Sequence, residues 1–346
     1  MKTLKLTILS VALLVSGSTF AQFEDYLLGG IDDANTLFNH YMSPMMKGIG
    51  YGFNNGWYNT AKPHETLGFD LTISFNAALV PVKDQSFVFD PNEYTATTIA
   101  SGNSTLPTAM GGAASTVLQY NIDQQDIDPS LPPGIISATY NAPSGYGEQL
   151  KEYTLGQLGV PSPVIQAGIG LVKGTELKIR WMPEVNRETV YFKYFGVGAL
   201  HSIDQWIPGL KSLPFLDISG FIGYTKIYVE YPLPVGDIGG ENQMASFDIN
   251  TTTFQVIGSA HIAVVTGYLG IGYDNFKTNF KMLGTYDLYP GIVPAVSDPI
   301  NLEQKGEGSP RVTAGVRLKL AIVTLHADYT LREYNTLTLG LGFSFR

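Results

Sequence analysis

The sequence predicts an all-β fold, a closed antiparallel transmembrane β-barrel of about fourteen strands behind a short helical, plug-like N-terminal segment; such barrels take even strand numbers. Three observations carry this. Many segments alternate apolar and polar residues with a period of two, the strand signature. The cleanest run about ten residues, enough to cross a bilayer at a tilt of about 45°, whereas globular strands average about five or six. The segment "NTLTLGLGFSFR" (335–346) sets Leu337, Leu339, Leu341, Phe343 and Phe345 against Thr336, Thr338, Gly340, Gly342 and Ser344, and lipid is the cover its apolar face calls for.

Composition agrees. The 346 residues are 44% hydrophobic and 15% charged, against about 25% charged in ordinary soluble domains. Mean hydropathy is only +0.06, too low for a bundle of membrane helices. No cysteine occurs, which excludes disulfides, thiolate metal sites, a cysteine nucleophile and a lipid-anchored N-terminal cysteine.

Taken in order, Lys2 and Lys5 open a basic start. Leu6 to Val15 is apolar but too short to span a bilayer, and Ser16 to Ala21 are small apart from Phe20. This is the pattern of a secretory signal peptide, residues 1–21, cut after Ala21. Without Lys2 and Lys5 the chain keeps 19 basic against 30 acidic residues, a net charge of −11, so nucleic acid is not an expected partner.

Residues 22–67 form the N-terminal helix and plug-like segment. Ile31, Ala34, Leu37, Phe38, Tyr41 and Met45 recur at helical spacing, with Asp32, Asp33, Asn35 and Asn39 opposite, and Pro44 is expected to stop the helix. "GIGYGFNNGWYNTAKPH" follows. A segment ahead of the first strand of a wide barrel has the lumen to fold into, so Asn54, Asn55, Trp57, Tyr58, Lys62 and His64 are the candidate plug and ligand residues, with Met45, Met46 and Phe53 as apolar patches.

Residues 68–346 form the barrel. Strands are expected at 68–81, 86–95, 163–172, 174–183, 188–203, 214–231, 250–260, 262–275, 276–284, 310–320, 322–332 and 335–346, with one or two more between 113 and 140. Stretches rich in Gly, Pro, Ser and Asn mark long loops at 96–162, 232–249 and 284–309, which in such barrels face outward from the cell. Trp181, Tyr191, Trp206, Phe215, Tyr231, Tyr273 and Tyr329 lie near strand ends, as interfacial aromatics do. On the presumed inner faces, Arg180, Arg317, Lys319, His326, Asp328 and Arg332 are expected to form a lumen charge network, because buried charges are expensive unless paired.

Enzymatic signals are lacking. There is no G-x-S-x-G elbow and no H-E-x-x-H. His40, His64, His201, His261 and His326 show no metal-ligand spacing, and "GIGYGF" and "GYLGIGYDN" fail the dinucleotide fingerprint. No catalysis, cofactor or metal is expected.

A polar helix, an Asn- and Gly-rich segment, a long first strand and a final "LTLGLGFSF" together resemble FadL-type outer-membrane transporters of hydrophobic compounds. "NNGWYNTAKPH" (54–64), "GFDLT" (68–72), "QWIPGLKSLPFLDISGFIGYTK" (205–226) and "ADYTL" (327–331) are similar to a family of uncharacterised outer-membrane proteins of Bacteroidota. The resemblance implies residence in the outer membrane of a Gram-negative cell and contact with lipid and the barrel-assembly machinery. It implies a monomer and FadL-like passive transport of a hydrophobic small molecule. The alternative is a structural or surface-interaction barrel without a through-path.

Overall fold

The computed structural model describes residues 26–345, apart from positions 128, 155, 188–189, 211–212, 214, 234–238, 291–293 and 307. The signal peptide expected at 1–21 lies outside the described residues.

Ten strands close into a single antiparallel barrel. They are β1 (Phe69–Leu79), β2 (Gly159–Leu171), β3 (Thr175–Arg187), β4 (Val190–Ser202) and β5 (Leu216–Pro232). β6 (Met244–Ile262), β7 (Val265–Leu283), β8 (Ser309–Leu320), β9 (Val323–Leu331) and β10 (Thr336–Phe345) complete the wall. Each strand pairs with its neighbours in chain order, and the seam closes where Phe69 meets Phe345 and Ala78 meets Thr336.

The expected fourteen strands are thus corrected to ten. The segments at 262–275 and 276–284 are one continuous β7, because Asp274 and Asn275 do not turn the chain. Residues 86–95 contribute only the short strand Ser86–Val88, outside the barrel. The strands between 113 and 140, Val117–Asp123 and Ile135–Asn141, join Thr97–Ser101 in a separate three-stranded sheet. Alternation identifies a strand but not the sheet it joins. The expected loop 96–162 is therefore largely this folded insert. A further short strand, Ile300–Lys305, extends the edge beside β7 in line with β8.

The connections at 172–174, 263–264 and 321–322 are short and lie at one end, here the lower, together with the start of β1 and the end of β10. The connections at 80–158, 233–243 and 284–308 lie at the upper end, and the connection at 203–215 lies at the lower end.

The wall changes character along its length. In the lower part the outward residues are apolar and exposed: Leu71 and Ile73 on β1, Leu177 and Ile179 on β3, Leu269 and Ile271 on β7, Leu339 and Leu341 on β10. The inward residues there are polar and buried, among them Thr72, Ser74, Gln166, Thr313, Thr330 and Thr338. Higher up, β5, β6 and β7 keep the same alternation but exchange chemistries. Ile227, Val229, Phe247, Ile249, Phe280 and Met282 point inward and are buried, while Lys226 and Asp248 face out and form a 3.1 Å ion pair. The exchange falls on a row of exposed aromatics, Trp181, Phe195, Tyr224, Phe254 and Tyr273. Trp181 is paired with Phe195, and Phe254 with Tyr273, across adjacent strands. Of the aromatics expected at an interface, Tyr231 is instead buried inside the upper barrel.

The upper interior packs around α1 (Ile31–Phe53). Leu37, Phe38, Tyr41, Met42, Met45 and Met46 form one apolar core with the insert and with Phe247 and Phe280. Pro44 lies inside this helix rather than ending it. A proline interior to a helix costs about 3 kcal/mol, which the burial of apolar side chains such as Leu37, Phe38, Met42, Met45 and Met46 on α1 offsets. Gly48 and Gly52, one turn apart, let the helix approach β2. A Cβ at 48 would lie 2.9 Å from Val160 Cβ, and one at 52 would lie 2.7 Å from Ser162 Cβ. At its start, Asp33 accepts hydrogen bonds from the Thr95, Ala96 and Thr97 backbone amides at 2.8, 2.9 and 2.7 Å. Burial pushes this carboxyl up, but those bonds outweigh it and hold it below its ordinary value of 3.8.

Candidate functional site

α1 ends at the upper end of the barrel and β1 begins at the lower end, so the chain between them descends through the lumen. Eight strands enclose a lumen that side chains just fill; ten leave space for one more chain, and residues 54–64 occupy it.

The upper anchor is the turn at Asn54–Gly56, where Gly56 takes φ +72°, a conformation easily reached only without a Cβ. Three buried arginines converge on this turn. Arg180 donates to the carbonyls of Phe53 and Asn55 at 2.7 and 2.6 Å and to Gln166 Oε1 at 3.0 Å. Its guanidinium also lies 3.5 Å over the Trp57 ring. Arg311 donates to Asn54 O at 3.0 Å and Asn55 Oδ1 at 2.8 Å. Arg332 donates to Tyr51 O at 2.7 Å and to the same Asn55 Oδ1 at 2.9 Å. Asn55 Nδ2 in turn donates to Thr330 and Thr338. One carboxylate, Asp274, pairs with both Arg311 and Arg332.

Below the turn, Trp57 O accepts from Gln166 Nε2 at 3.1 Å, and Tyr58 donates to Gln255 Oε1 at 2.5 Å. Trp57, Tyr58 and Ala61 pack with Leu200, Phe221, Ile257 and Tyr268 as a small apolar core inside the barrel. Ser259 Oγ accepts from Ala61 N, and Ser219 Oγ donates to Ala61 O. At the lower end, the His64 amide and Nδ1 both meet Glu176 Oε2, at 3.0 and 2.9 Å. Lys178 pairs with Glu176 and lies 3.9 Å from Asp70. His64, Asp70 and Glu176 are close enough together to ligate a metal ion, but the Lys178 ammonium already supplies the positive charge there.

The six candidate plug residues thus lie along one path. Asn54, Asn55, Trp57 and Tyr58 are buried, His64 ties the lower end, and Lys62 lines a cavity at the lower mouth. The expected charge network is corrected, because its six members do not form one paired set. Arg180 binds neutral oxygens, and Arg332 pairs with Asp274. Asp328 accepts from Tyr268 at 2.9 Å, while His326, two residues away, reaches Asn59 at 3.5 Å. Arg317 and Lys319 sit at the lower mouth, with no carboxylate within 4.0 Å among the described residues. The residues that hold the thread but escaped the sequence reading are Arg311, Asp274, Gln166 and the Asp70–Glu176–Lys178 group. The signal of all but Gln166 is a charge on the polar side of a strand alternation, as at Asp70 in "GFDLT".

Among solved structures, Ail, the attachment invasion locus protein of Yersinia pestis, aligns at 12% identity over 49% of this chain and 93% of its own, with a TM-score of 0.26. The translocator domain of the autotransporter NalP from Neisseria meningitidis aligns at 8% identity over 91% and 98%, with a TM-score of 0.29. CymD, a monoaromatic hydrocarbon channel, aligns at 10% identity over 81% and 88%, with a TM-score of 0.18. Overlaps this small carry no functional inference. No curated protein matches the sequence. A family model does match, over residues 1–345, and the chain belongs to that family, DUF6588, a family of unknown function.

Proposed function

We propose that this protein is an outer-membrane barrel closed by its own chain, a surface-interaction or structural barrel without a through-path. Its working surface is the upper cap of α1, insert and long loops. The observation that carries the reading is the threaded lumen, tied by buried hydrogen bonds from Arg180 and Arg311 at the top to Glu176 at the bottom. Membrane residence is supported by the lower wall. From Val265 to Tyr273 the outward row of β7 spans about nine residues, or ~27 Å along the strand. At a tilt of about 40° that is ~20 Å of height, near the ~25 Å apolar band of such barrels. With the two longest connections, 80–158 and 284–308, taken as outward and three tight turns toward the periplasm, the cap and α1 face the cell exterior. Lipid and the barrel-assembly machinery are the implied partners, and a monomer suffices.

The test is conductance in planar bilayers. The intact protein is expected to give no stepwise current above leak, and stable open channels would overturn the closed-lumen reading.

A second reading, FadL-like passive transport of a hydrophobic molecule, is favoured by one feature. Gly258, Ala260, Gly267, Ala314 and Ala327 leave a depression of about 840 Å³ in the outer wall, rimmed by Leu269 and Val316. Transport to or from it requires the thread to shift. Uptake of a fluorescent aromatic probe into liposomes holding the protein, above that of empty liposomes, would favour this second reading.

A further inference from the structure

At the lower mouth two cations share one neutral oxygen. Lys319 Nζ and Arg317 Nη2 both approach Ser344 Oγ, at 3.3 and 3.4 Å, while His64 Nε2 lies 3.1 Å from the same atom. Among the described residues, Ser344 Oγ is the one side-chain hydrogen-bond partner of both cations. Arg317 is 8% exposed and its Nε has no hydrogen-bond partner. These groups face a cavity of about 210 Å³ that Lys62 also lines. Its carboxylates are Glu65 and Asp217, the latter 3.6 Å from His261. Two like charges side by side, one with an unused buried donor, are the arrangement that a bound anion completes. A water takes roughly 30 Å³, so the cavity admits a tetrahedral oxyanion with part of its hydration.

We propose that this cavity is a phosphate-type oxyanion site, held by Arg317, Lys319 and Lys62. It opens at the level of exposed Phe69 and Phe345, whose rings stack at 4.8 Å at the lower rim. The phosphate therefore comes either from solution or from a lipid headgroup. The site does not depend on whether the lumen conducts.

The experiment has two arms on the full chain in detergent. In the first, thermal unfolding is followed against inorganic phosphate, with chloride holding ionic strength constant. In the second, native mass spectrometry measures retention of phosphatidylglycerol relative to phosphatidylcholine. A saturable rise of melting temperature with phosphate assigns a soluble ligand; selective retention of phosphatidylglycerol alone assigns a headgroup. In whichever arm responds, K319Q is expected to weaken binding at least tenfold and R317Q/K319Q to abolish it, with folding checked by heat-modifiable gel migration. Should the double variant fail to fold, K319Q, on a half-buried side chain, decides. No response in either arm, or binding undiminished in folded K319Q, overturns the proposal.

Discussion

Asn55 is the residue on which the threading hypothesis is most exposed to test. Its Oδ1 takes hydrogen bonds from two buried guanidiniums, Arg311 and Arg332, and its Nδ2 gives two to Thr330 and Thr338. Bonds from charged donors contribute about 1.5–3 kcal/mol each and neutral ones about 0.5–1.5. Asn55→Ala forfeits all four and leaves both arginines short of an acceptor in a site that holds three arginines against Asp274. After the desolvation of the amide is recovered, the expected loss is ~3–5 kcal/mol. Asn55→Asp keeps the Oδ1 acceptor and adds a negative charge among surplus positive ones, at the expense of turning the two threonine hydroxyls. It is expected to lie within ~1 kcal/mol of wild type or above it. The assay is urea unfolding from liposomes followed by tryptophan emission, since Trp57 lies under Arg180, with bilayer conductance measured in parallel. Asp is isosteric with Asn, so packing is controlled by Asn55→Leu, of similar size but without an acceptor, which should cost as much as Asn55→Ala where a role in packing alone would spare it. Asn55→Ala within 1 kcal/mol of wild type, or Asn55→Asp as costly as Asn55→Ala, refutes the account of the upper anchor.

Other outcomes test the wall, the cap and the topology. Leu341→Arg, in the middle of the outward row of β10, is expected to destabilise the protein in lipid by ~2–4 kcal/mol. Asn275→Arg, exposed just above the aromatic row, should change it by no more than ~0.5 kcal/mol; equal effects in refolding titrations would mean that the aromatic row is not a lipid boundary. Asp33 should stabilise the cap fully above pH 3.8, and that contribution should decay as pH falls through its lowered folded value, because the charged form is the one the Thr95–Thr97 amides hold. Amide exchange in residues 95–97 read across that range checks the sign, and Asp33→Asn should abolish the pH dependence. An epitope placed after Ala21 should be reached by antibody on intact cells and one placed after Phe345 should not; the reverse labelling would invert the proposed orientation.

The exposed apolar face of the lower wall was legible because its code is local. Leu337 to Phe345 alternates without a break, and every barrel strand falls on a segment whose alternation the sequence displays. Alternation also marked the sheet at 97–141, which never joins the barrel, and this inflated the strand number. The exchange of faces along β5–β7 was invisible for a related reason. Ile227 and Val229 continue the period of Phe221 and Gly223, so nothing in the pattern announces that inside has become apolar. Asp274 was misread as a strand end because an acidic residue beside Asn275 looks like turn chemistry. Its role depends on Arg311 and Arg332, which are distant in sequence and meet it only once the barrel closes. For the same reason the hydrogen bond that Asp328 accepts from Tyr268, on another strand, could not be read from its neighbours in sequence.

The thread is less a removable plug than a tenant around which the wall is written. Its contacts draw on β2 through Gln166, β3 through Glu176 and Arg180, β5 through Ser219, β6 through Gln255 and Ser259, β8 through Arg311, β9 through Thr330 and β10 through Thr338. An emptied lumen would admit water to Arg180, Arg311 and Arg332 in exchange for the thread's carbonyl and amide oxygens, and would lose the packing of Trp57, Tyr58 and Ala61 against the wall. Nor does the thread enter last. α1 with its side chains is about 10–12 Å across and is seated in a cap wider than itself, so it does not pass through a lumen already filled by one extended chain. With α1 folded first, the barrel closes around the thread, the β1–β10 seam forming after residues 54–64 are in place. Removing the whole segment would then report failure to assemble rather than an opened pore, and point changes at Asn55 are the informative perturbation.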